Sequence, residues 1–361
     1  MKAVVQDRYG LDALRLEDIA VPVAADGAVL VRVRAAGVNP LDWHAARGVP
    51  YVARMAMGMP GPKPRVRGVD VAGRVEAVGK DVTHLQVGDD VFGWCASAFA
   101  EYASAPEDHF LAKPANMTYE EAAAVPVAAV TALQALRDFG KLQSGQRVLV
   151  NGASGGVGTF AVQIAKSIGA DVTGVCSSRN VELVKSIGAD HVIDYTRDNF
   201  TKSGERYDVI LDNAGSHALS AVRRVLAADG TLIYNSGAPL RRMALALLVS
   251  RMGQRVRTFL AKLNHDDVEV IRVLIESGKV RSIVDRTYPL DELAAAIAYV
   301  EAGHVRGKVV VTPAPSPAER SSAEGSSRFF DSSVHSGRGF ADGIAVTNGE
   351  EGRVQLPQQR S

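Results

Sequence analysis

The segment Val148-Leu-Val-Asn-Gly-Ala-Ser-Gly-Gly-Val-Gly158, continued by Thr159-Phe-Ala-Val-Gln-Ile-Ala-Lys166, is the most informative part of this chain. An apolar strand enters a glycine-rich turn and the turn opens a helix, which is the context of a dinucleotide-binding fingerprint. At the fingerprint spacing stand Ala153, Gly155 and Gly158, so alanine replaces the first glycine. An ordinary tight turn between a strand and a helix is the alternative.

The backbone of this turn is expected to bind the pyrophosphate of a nicotinamide cofactor. Gly155 allows the backbone to approach the phosphates, Gly158 allows the helix to pack closely on the sheet, and the helix N-terminus faces the negative charge. The cofactor-binding residues predicted here are Ala153, Ser154, Gly155, Gly156, Val157 and Gly158.

Strand-length apolar runs alternate with helical patterns between about residues 123 and 280. The predicted strands are Arg147–Asn151, Asp171–Val175, His191–Asp194, Asp208–Leu211 and Thr231–Tyr234. Strands in such alternation predict an α/β fold with a doubly wound parallel sheet.

Both flanks of this region are β-rich. Short runs such as Ala28–Arg34, separated by Gly, Pro and Asp turns, fill residues 1 to about 120 and predict a compact, mostly β domain. A helix is predicted near 264–278 and another from Asp291, before a final strand at Lys308–Val311. We expect the last strands to rejoin the first domain.

The length of 361 residues predicts two domains. We place one at 1–122 and 281–312, and the cofactor-binding domain at 123–280. From 313 to 361 the composition shifts to Ser, Gly and Pro with no periodic apolar pattern, which predicts a disordered tail.

Charge and cysteine content narrow the range of partners and compartments. With 41 Lys and Arg against 40 Asp and Glu, the chain gives no reason to expect a nucleic-acid or membrane partner. Cys95 and Cys176 cannot build a disulfide framework, which favours a reducing compartment. The first residues lack the apolar core of a secretory signal, and the apolar stretch Met243–Ser250 is too short to span a bilayer. We therefore expect a cytoplasmic protein.

The end of the second predicted strand indicates which nicotinamide cofactor is used. NAD-binding proteins usually present an Asp or Glu to the ribose there, but this chain has Ser177, Ser178 and Arg179. The serines can donate hydrogen bonds and the arginine can pair with a 2′-phosphate, so NADP is favoured. An exposed arginine at the start of a helix capped by Asn180 is the alternative.

Several separated segments resemble the medium-chain dehydrogenase/reductase superfamily, in particular its zinc-free quinone oxidoreductase branch. They are Ala36-Gly-Val-Asn-Pro-Leu-Asp42, Gly68-Val-Asp-Val-Ala-Gly73, Val87-Gly-Asp-Asp-Val-Phe-Gly93, Ala153-Ser-Gly-Gly-Val-Gly158 and Gly188-Ala-Asp-His-Val-Ile-Asp-Tyr195. The resemblance implies a GroES-like β domain joined to a Rossmann domain, an active site in the cleft between them, and a homodimer or tetramer.

Departures from the zinc-dependent branch of that superfamily bear on the chemistry. Asn39 stands where that branch has a cysteine ligand, and Val69, before Asp70, stands where it has a histidine. Neither Cys95 nor Cys176 lies in a C-x-x-C spacing, so a structural zinc lobe is not expected either. We predict that no metal is bound.

Without a Lewis acid, the acceptor must itself spread the negative charge that hydride addition creates. A quinone or an α,β-unsaturated carbonyl does so, because the product is a hydroquinone anion or an enolate that a few hydrogen-bond donors stabilise. We therefore predict hydride transfer from NADPH to a small hydrophobic acceptor of this kind. A zinc-free alcohol or aldehyde reductase and a non-catalytic NADPH-binding scaffold are the alternatives.

Two residues are candidates for the catalytic step. Asn39 resembles the family residue that hydrogen-bonds near the nicotinamide ribose and the acceptor, and an Asn-Pro turn is the alternative. Asp42 could feed a proton relay, whereas a solvated or helix-capping carboxylate is more common. Lys308 could approach the cleft, but an exposed lysine at the start of a strand is the more common case.

Further cofactor contacts are predicted by resemblance or by position in the sheet. Thr131 matches a hydroxyl near the cofactor in relatives, or bonds its own helix backbone. Tyr195 lies along the adenosine phosphate, as the resemblance implies, or else packs in the core or at the rim. Asn213, Ser236 and Gly237 follow two strands at the carboxyl edge, where open α/β sheets bind ligands.

Two further features of the sequence have ordinary structural explanations. Three methionines lie in Arg54–Pro60. They suit a pocket for flat hydrophobes, although core packing is the more common explanation. Cys95 is expected to be a small buried hydrophobe rather than a reactive thiol.

Overall fold

The computed structural model describes residues 1–59, 61–235 and 254–314. They lie in one compact unit, Met1–Ala314. Residues 315–361 of the predicted tail 313–361 lie outside the described residues, and so does the apolar stretch 243–250.

Strands and helices follow one another along these residues in the order the sequence suggests. The strands are β1 (Lys2–Val5), β2 (Arg15–Asp18), β3 (Ala28–Val38), β4 (Asp70–Val78), β5 (Asp90–Trp94), β6 (Tyr102–Pro106), β7 (Phe110–Ala112), β8 (Arg147–Asn151), β9 (Asp171–Cys176), β10 (His191–Asp194), β11 (Tyr207–Asp212), β12 (Leu226–Tyr234), β13 (Arg255–Thr258), β14 (Val284–Pro289) and β15 (Lys308–Thr312). The α-helices are α1 (Pro40–Arg47), α2 (Arg54–Met57), α3 (Tyr119–Ala123), α4 (Pro126–Gln134), α5 (Gly156–Ile168), α6 (Val181–Ser186), α7 (Leu219–Arg223), α8 (His265–Glu276) and α9 (Leu293–Glu301).

Six parallel strands form the sheet to which β8, the strand before the glycine-rich turn, belongs. Their order is β10-β9-β8-β11-β12-β13, the doubly wound order in which the chain reverses direction between β8 and β11. Val148 and Val150 of β8 face one core and Leu149 faces the other, so helices cover both faces of the sheet. The predicted α/β fold with a doubly wound parallel sheet is confirmed.

A second, mostly antiparallel sheet is built from both ends of the unit. Its order is β14-β15-β3-β4-β5-β7, and β6 pairs with β3. The last strand, β15, pairs with β3 through Val309 opposite Val38. This pairing places the start of β15 beside the end of β3, where the candidate site lies.

Close backbone approach fixes the end of β3. A Cβ atom on Gly37 would lie 2.4 Å from the carbonyl oxygen of Ala123 and 2.9 Å from Cβ of Asp70. Only glycine fits there, since real Cβ atoms do not approach other atoms so closely. The small residues at the end of α3 and on β3 thus let these elements meet beside Asp70.

The methionine-containing segment after α1 is not part of a core. Met55 is 80% exposed and Met59 is 69% exposed. The core-packing explanation is therefore wrong for these two residues, since both side chains are mostly exposed.

Candidate active site

The candidate site begins where β3 passes into α1. Asn39 is the N-cap of α1, with Pro40 as the first helical residue. The backbone N–H of Asn39 donates to Oδ2 of Asp42 over 2.7 Å, and the N–H of Asp42 donates to the carbonyl oxygen of Asn39 over 2.9 Å. The Asn-Pro turn and the helix-capping carboxylate that the sequence left as alternatives are both present, and they fix the backbone at Asn39.

A buried ion pair lies against the side chain of Asn39. Nζ of Lys308 is 3.2 Å from Oδ2 of Asp70 and 2.5 Å from Oδ1 of Asn39. Nδ2 of Asn39 donates to Oδ2 of Asp70 over 2.9 Å. Exposed fractions are 0% for Asp70, 3% for Lys308 and 4% for Asn39. The expectation of an exposed Lys308 is therefore wrong, because β15 is an inner strand whose first side chain points into the junction between the two sheets.

Asp42 lies behind this network, beside a small cavity that Gln6 and Arg67 also line. Burial raises the pKa of Asp42 to about 7, and the nearby Asp70 charge adds to the increase. Within the described residues, Oε1 of Gln6 and two guanidinium nitrogens of Arg67 are buried without a hydrogen-bond partner. The carboxyl group of Asp42 therefore titrates near neutral pH in a polar but enclosed setting.

The glycine-rich turn packs closely against the start of α5. A Cβ atom on Gly158 would lie 2.0 Å from the carbonyl oxygen of Gly152, so α5 packs directly on the turn. A Cβ atom on Gly155 would meet nothing closer than 3.5 Å, so the space on that side of the residue is open. Gly155 caps α5, whose first turn holds Gly156 and Val157. An anion bound here would face the helix N-terminus.

The neighbouring strand end supplies polar groups beside this turn. Nδ2 of the buried Asn180 donates to Oγ of Ser154 over 3.0 Å, and lies 3.3 Å from Oγ of Ser177. Ser178 donates to Oδ2 of Asp194 over 2.5 Å. The bonds of Asn180 join the glycine-rich turn to the segment that follows β9.

Two predicted cofactor contacts lie on the surface near this strand end. Nη2 of Arg179 donates to the carbonyl oxygen of His304 over 2.6 Å. Tyr195 is 57% exposed, so it does not pack in a core. Both residues are exposed.

At the point where the strand order reverses, β8 and β11 present a cluster of amides and one carboxylate. Nδ2 of Asn151 donates to Oδ1 of Asp212 over 2.8 Å, and Nδ2 of Asn235 donates to Oδ1 of Asn213 over 2.9 Å. Oδ2 of Asp212 and Nδ2 of Asn213 are buried without a partner among residues 1–59, 61–235 and 254–314. Such orphaned atoms at a switch point fit a bound cofactor.

The remaining predicted contacts have separate outcomes. Oγ1 of Thr131 donates to the carbonyl oxygen of Val127 over 2.6 Å, which is the backbone bond that the sequence left as the alternative. Ser236 and Gly237 lie outside the described residues. Cys95 is buried, and burial raises the pKa of its thiol to about 12, so the expectation of an inert cysteine is confirmed.

The side chains at Asn39 do not fit a zinc ion. By the resemblance described above, Asn39 and Val69 stand where the zinc-dependent branch has a cysteine and a histidine ligand, and the ammonium group of Lys308 stands against Asn39. A divalent cation there would face a positive charge at close range. Across the described part of the chain, no group of three or more His, Cys, Asp or Glu side chains is arranged to hold a metal ion.

Sequence reasoning missed two members of the site. Asp70 was noted only as the residue after Val69, and Asn180 only as a helix cap. An Asp inside the apolar run Val69-Asp-Val-Ala was an available signal, since a charge on a buried strand requires a partner. Nothing in the local sequence pairs it with Lys308, which is 238 residues away.

Two family models match the chain. The alcohol dehydrogenase GroES-like domain matches residues 25–135, and the zinc-binding dehydrogenase model matches residues 187–311. These matches confirm the GroES-like domain and agree with the mixed sheets described above.

Curated proteins and solved structures resemble the chain over most of its length. The chloroplastic quinone-oxidoreductase homolog of Spinacia oleracea is 33% identical, covering 87% of this chain and 98% of that protein. The mitochondrial NAD(P)H oxidoreductase RTN4IP1 of Mus musculus is 34% identical, covering 86% and 89%. The quinone oxidoreductase structure from Coxiella burnetii has a TM-score of 0.77 at 29% identity, covering 86% and 99%.

The Spinacia oleracea and Mus musculus relatives are named as chloroplastic and mitochondrial proteins, which contradicts the predicted cytoplasmic location. That prediction is wrong; it rested on cysteine content and on the first residues, and neither distinguishes one reducing compartment from another. Among the described residues, no helix is long and apolar enough to cross a membrane.

The fold, the glycine-rich turn and these relatives lead to one assignment. The chain is an oxidoreductase that belongs to the medium-chain dehydrogenase/reductase superfamily, in its quinone-oxidoreductase-like branch.

Proposed function

We propose that this protein transfers a hydride from NADPH to a quinone or an α,β-unsaturated carbonyl compound, without a metal ion. The observation that carries the proposal is the side chain of Asn39, held by Lys308 and Asp70 where the zinc-dependent branch has a ligand. Relatives named as quinone oxidoreductases and as an NADPH-dependent alkenal/one oxidoreductase support this substrate class.

Asn39 is the proposed catalytic donor. One of its two amide hydrogens is bonded to Asp70, so the second is available to the oxygen of an acceptor. Hydride addition places negative charge on that oxygen, and a fixed donor stabilises the enolate or hydroquinone anion more than the neutral acceptor. Water can then protonate the product.

Asp42 acts through Asn39 in this proposal. Its carboxyl group bonds the backbone of Asn39 and lies on the far side of the capping turn, so we assign it a positioning role. A pKa of about 7 makes the strength of this capping bond depend on pH in the neutral range.

Bound NADPH would supply the hydride from C4 of its nicotinamide. Ala153, Ser154, Gly155, Gly156, Val157 and Gly158 would hold its pyrophosphate. Asn213 would bind toward the nicotinamide end, and the orphaned amide of that residue supports this assignment. Ser177, Ser178, Arg179 and Tyr195 would bind the adenosine end, and a guanidinium group there favours NADPH over NADH.

A panel of acceptors tests the proposal with NADPH and NADH side by side, with and without chelator, and with metal analysis of the same sample. We expect fast oxidation of NADPH with quinones and enones that the chelator leaves unchanged. Turnover of saturated alcohols or aldehydes alone would support the alcohol or aldehyde reductase. Cofactor binding without turnover would support the scaffold protein, and turnover that requires stoichiometric zinc would refute the proposal.

Substitution of Asn39 tests its role directly. Asn39→Ala should lower kcat about 100-fold, because removing one donor to a developing oxyanion has an effect of that order. Asn116→Ala removes an exposed asparagine whose side chain bonds the carbonyl oxygen of Ile275, and it should leave kcat unchanged. Equal kcat values in the two variants would show that Asn39 is not the donor.

We also propose that the protein forms a homodimer or a tetramer and needs no nucleic-acid or membrane partner. The formal charge of +1 supports the second part of this proposal. Light scattering of the purified protein measures the assembly, and a monomer would contradict the first part.

A further inference from the structure

We propose that Lys308 and Asp70 are positioning residues for hydride transfer, which select one orientation of the Asn39 amide and connect it to the glycine-rich turn. This inference rests on the proposed function only in giving Asn39 the role of donor. The orientation itself follows from the charges around Asn39.

The two ends of the Asn39 amide meet opposite charges. Oδ1 lies 2.5 Å from the ammonium group of Lys308, and Nδ2 donates to the carboxylate of Asp70 over 2.9 Å. Rotating the amide by half a turn would place its N–H groups against the ammonium and its oxygen against the carboxylate. Both contacts would be repulsive at low solvent exposure, so the ion pair permits one orientation and excludes the other.

Asp70 is held in place from its other side. Its Oδ1 accepts the backbone N–H of Val127 over 2.9 Å, at the first turn of α4. The Nζ of Lys308 also lies 3.3 Å from the carbonyl oxygen of Val38. Neither charged group can therefore follow Asn39 if its amide turns.

The residue before Lys308 contacts the phosphate-binding turn. The N–H of Gly307 donates to the carbonyl oxygen of Ser154 over 2.8 Å, and Gly307 forms a parallel bridge with Gly155. A Cβ atom on Gly156 would lie 3.2 Å from Cδ of Lys308. The backbone that would hold the pyrophosphate is thus in contact with the lysine that orients the amide.

Glycine is required at this connection. Gly307 has a φ of +89°, and a Cβ atom there would lie 2.1 Å from the carbonyl oxygen of Ile283. The backbone between Ser154 and Lys308 therefore has a fixed conformation. The series of contacts runs from the glycine-rich turn through Gly307 and Lys308 to Asn39. It fixes the position of the turn, at the carboxyl edge of the parallel sheet, relative to the Asn39 amide, at the end of β3.

A structural role and a positioning role can be separated, because neutralising both members of a buried ion pair restores much of the stability that one substitution removes. Lys308→Met leaves the Asp70 charge buried and unpaired, and should lower the urea midpoint sharply. The double variant Asp70→Asn, Lys308→Met should regain most of that midpoint. It lacks the charges that distinguish the two ends of the amide, so kcat should stay about 100-fold below wild type with little change in the KM for NADPH.

A matched control removes an exposed ion pair. Lys80→Met breaks the contact with Asp26 at the surface and should change neither the urea midpoint nor kcat appreciably. Recovery of kcat together with stability in the double variant would overturn the positioning role.

A second readout is independent of turnover. In wild-type protein, the side-chain amide protons of Asn39, assigned by NMR against Asn39→Asp, should give one set of signals with slow solvent exchange. The double variant should show shifted signals with faster exchange, and unchanged signals would overturn the inference. If the wild type oxidises no NADPH with any acceptor, the proposed function fails, while this comparison still decides the orientation.

Lys308→Arg tests the inference if the neutral variants do not fold. It retains the positive charge, so the Asn39 signals should keep their slow exchange and kcat should remain within about tenfold of wild type. Loss of that slow exchange in a folded Lys308→Arg protein would show that charge does not set the amide orientation.

Discussion

Replacing Asp42 by asparagine should stabilise the protein at alkaline pH and do so less at acidic pH. The carboxyl group is buried, and its pKa rises from 3.8 to about 7 on folding. The folded state therefore binds the proton more tightly than the unfolded chain, and wild-type stability falls as pH rises through this interval. Asparagine carries no charge and can still accept the N–H of Asn39, so it avoids the penalty.

The size of the effect follows from the difference between the two pKa values. At 1.36 kcal/mol per unit, the full penalty of the buried carboxylate is about 4 kcal/mol above pH 7. Part of it is already present at pH 5, so the free-energy difference between variant and wild type should grow by about 3 kcal/mol between pH 5 and pH 8.

Urea unfolding of both proteins at several pH values measures this difference. The other titrating groups are the same in both proteins, so their contributions cancel in the difference of the two unfolding free energies. A part of that difference that does not change with pH reflects only the exchange of a carboxyl hydroxyl for an amide. Asp229→Asn is the matched control, because Asp229 is exposed and the same change of charge should give no pH-dependent difference. A constant difference between Asp42→Asn and wild type from pH 5 to pH 8 would refute the reasoning about burial.

Three further substitutions test the cofactor site. Arg179→Ala should raise the KM for NADPH about tenfold more than the KM for NADH, because it removes a charged donor to the 2′-phosphate. Steady-state kinetics with both cofactors measures this, and equal increases in the two KM values would contradict it. Asp194→Asn should shift selectivity toward NADPH by about threefold, because the carboxylate of Asp194 bonds the Ser178 hydroxyl and repels a phosphate. An unchanged ratio of kcat/KM for NADPH to kcat/KM for NADH would contradict that role. Gly158→Ala should lower the free energy of unfolding by about 1–3 kcal/mol, because its Cβ would lie 2.0 Å from the carbonyl oxygen of Gly152. Gly27→Ala is the control, since its Cβ would meet nothing within 4 Å. Equal urea midpoints for the two variants would contradict the close approach at Gly158.

Strand prediction worked where one local signal is enough. His191–Asp194 was predicted with the bounds that β10 has, because a short apolar run between turn residues is a local pattern. The fifth strand was predicted to begin at Thr231, whereas β12 begins at Leu226. A shift of register between Tyr207 and Val209 accommodates the extra residues of β12.

Local sequence also identified single site residues without their roles. Asn39 was identified through its resemblance to a family residue, and Asp42 as a candidate for a proton relay. The structure places both in the capping turn at the start of α1. The alternatives for Thr131 and for Lys308 could not be resolved, since one depends on a bond within a helix and the other on which strand neighbours β15.

The amino-acid order alone was enough to specify the parallel sheet and the glycine-rich turn, because hydrophobic period and glycine spacing act over a few residues. The ion pair between Asp70 and Lys308 is different, since its members lie 238 positions apart and meet only through the pairing of β15 with β3 and of β3 with β4. Contacts of that range depend on how sheets close and which faces are buried. Folding in three dimensions therefore turned an asparagine at a helix cap into an amide held between two buried charges.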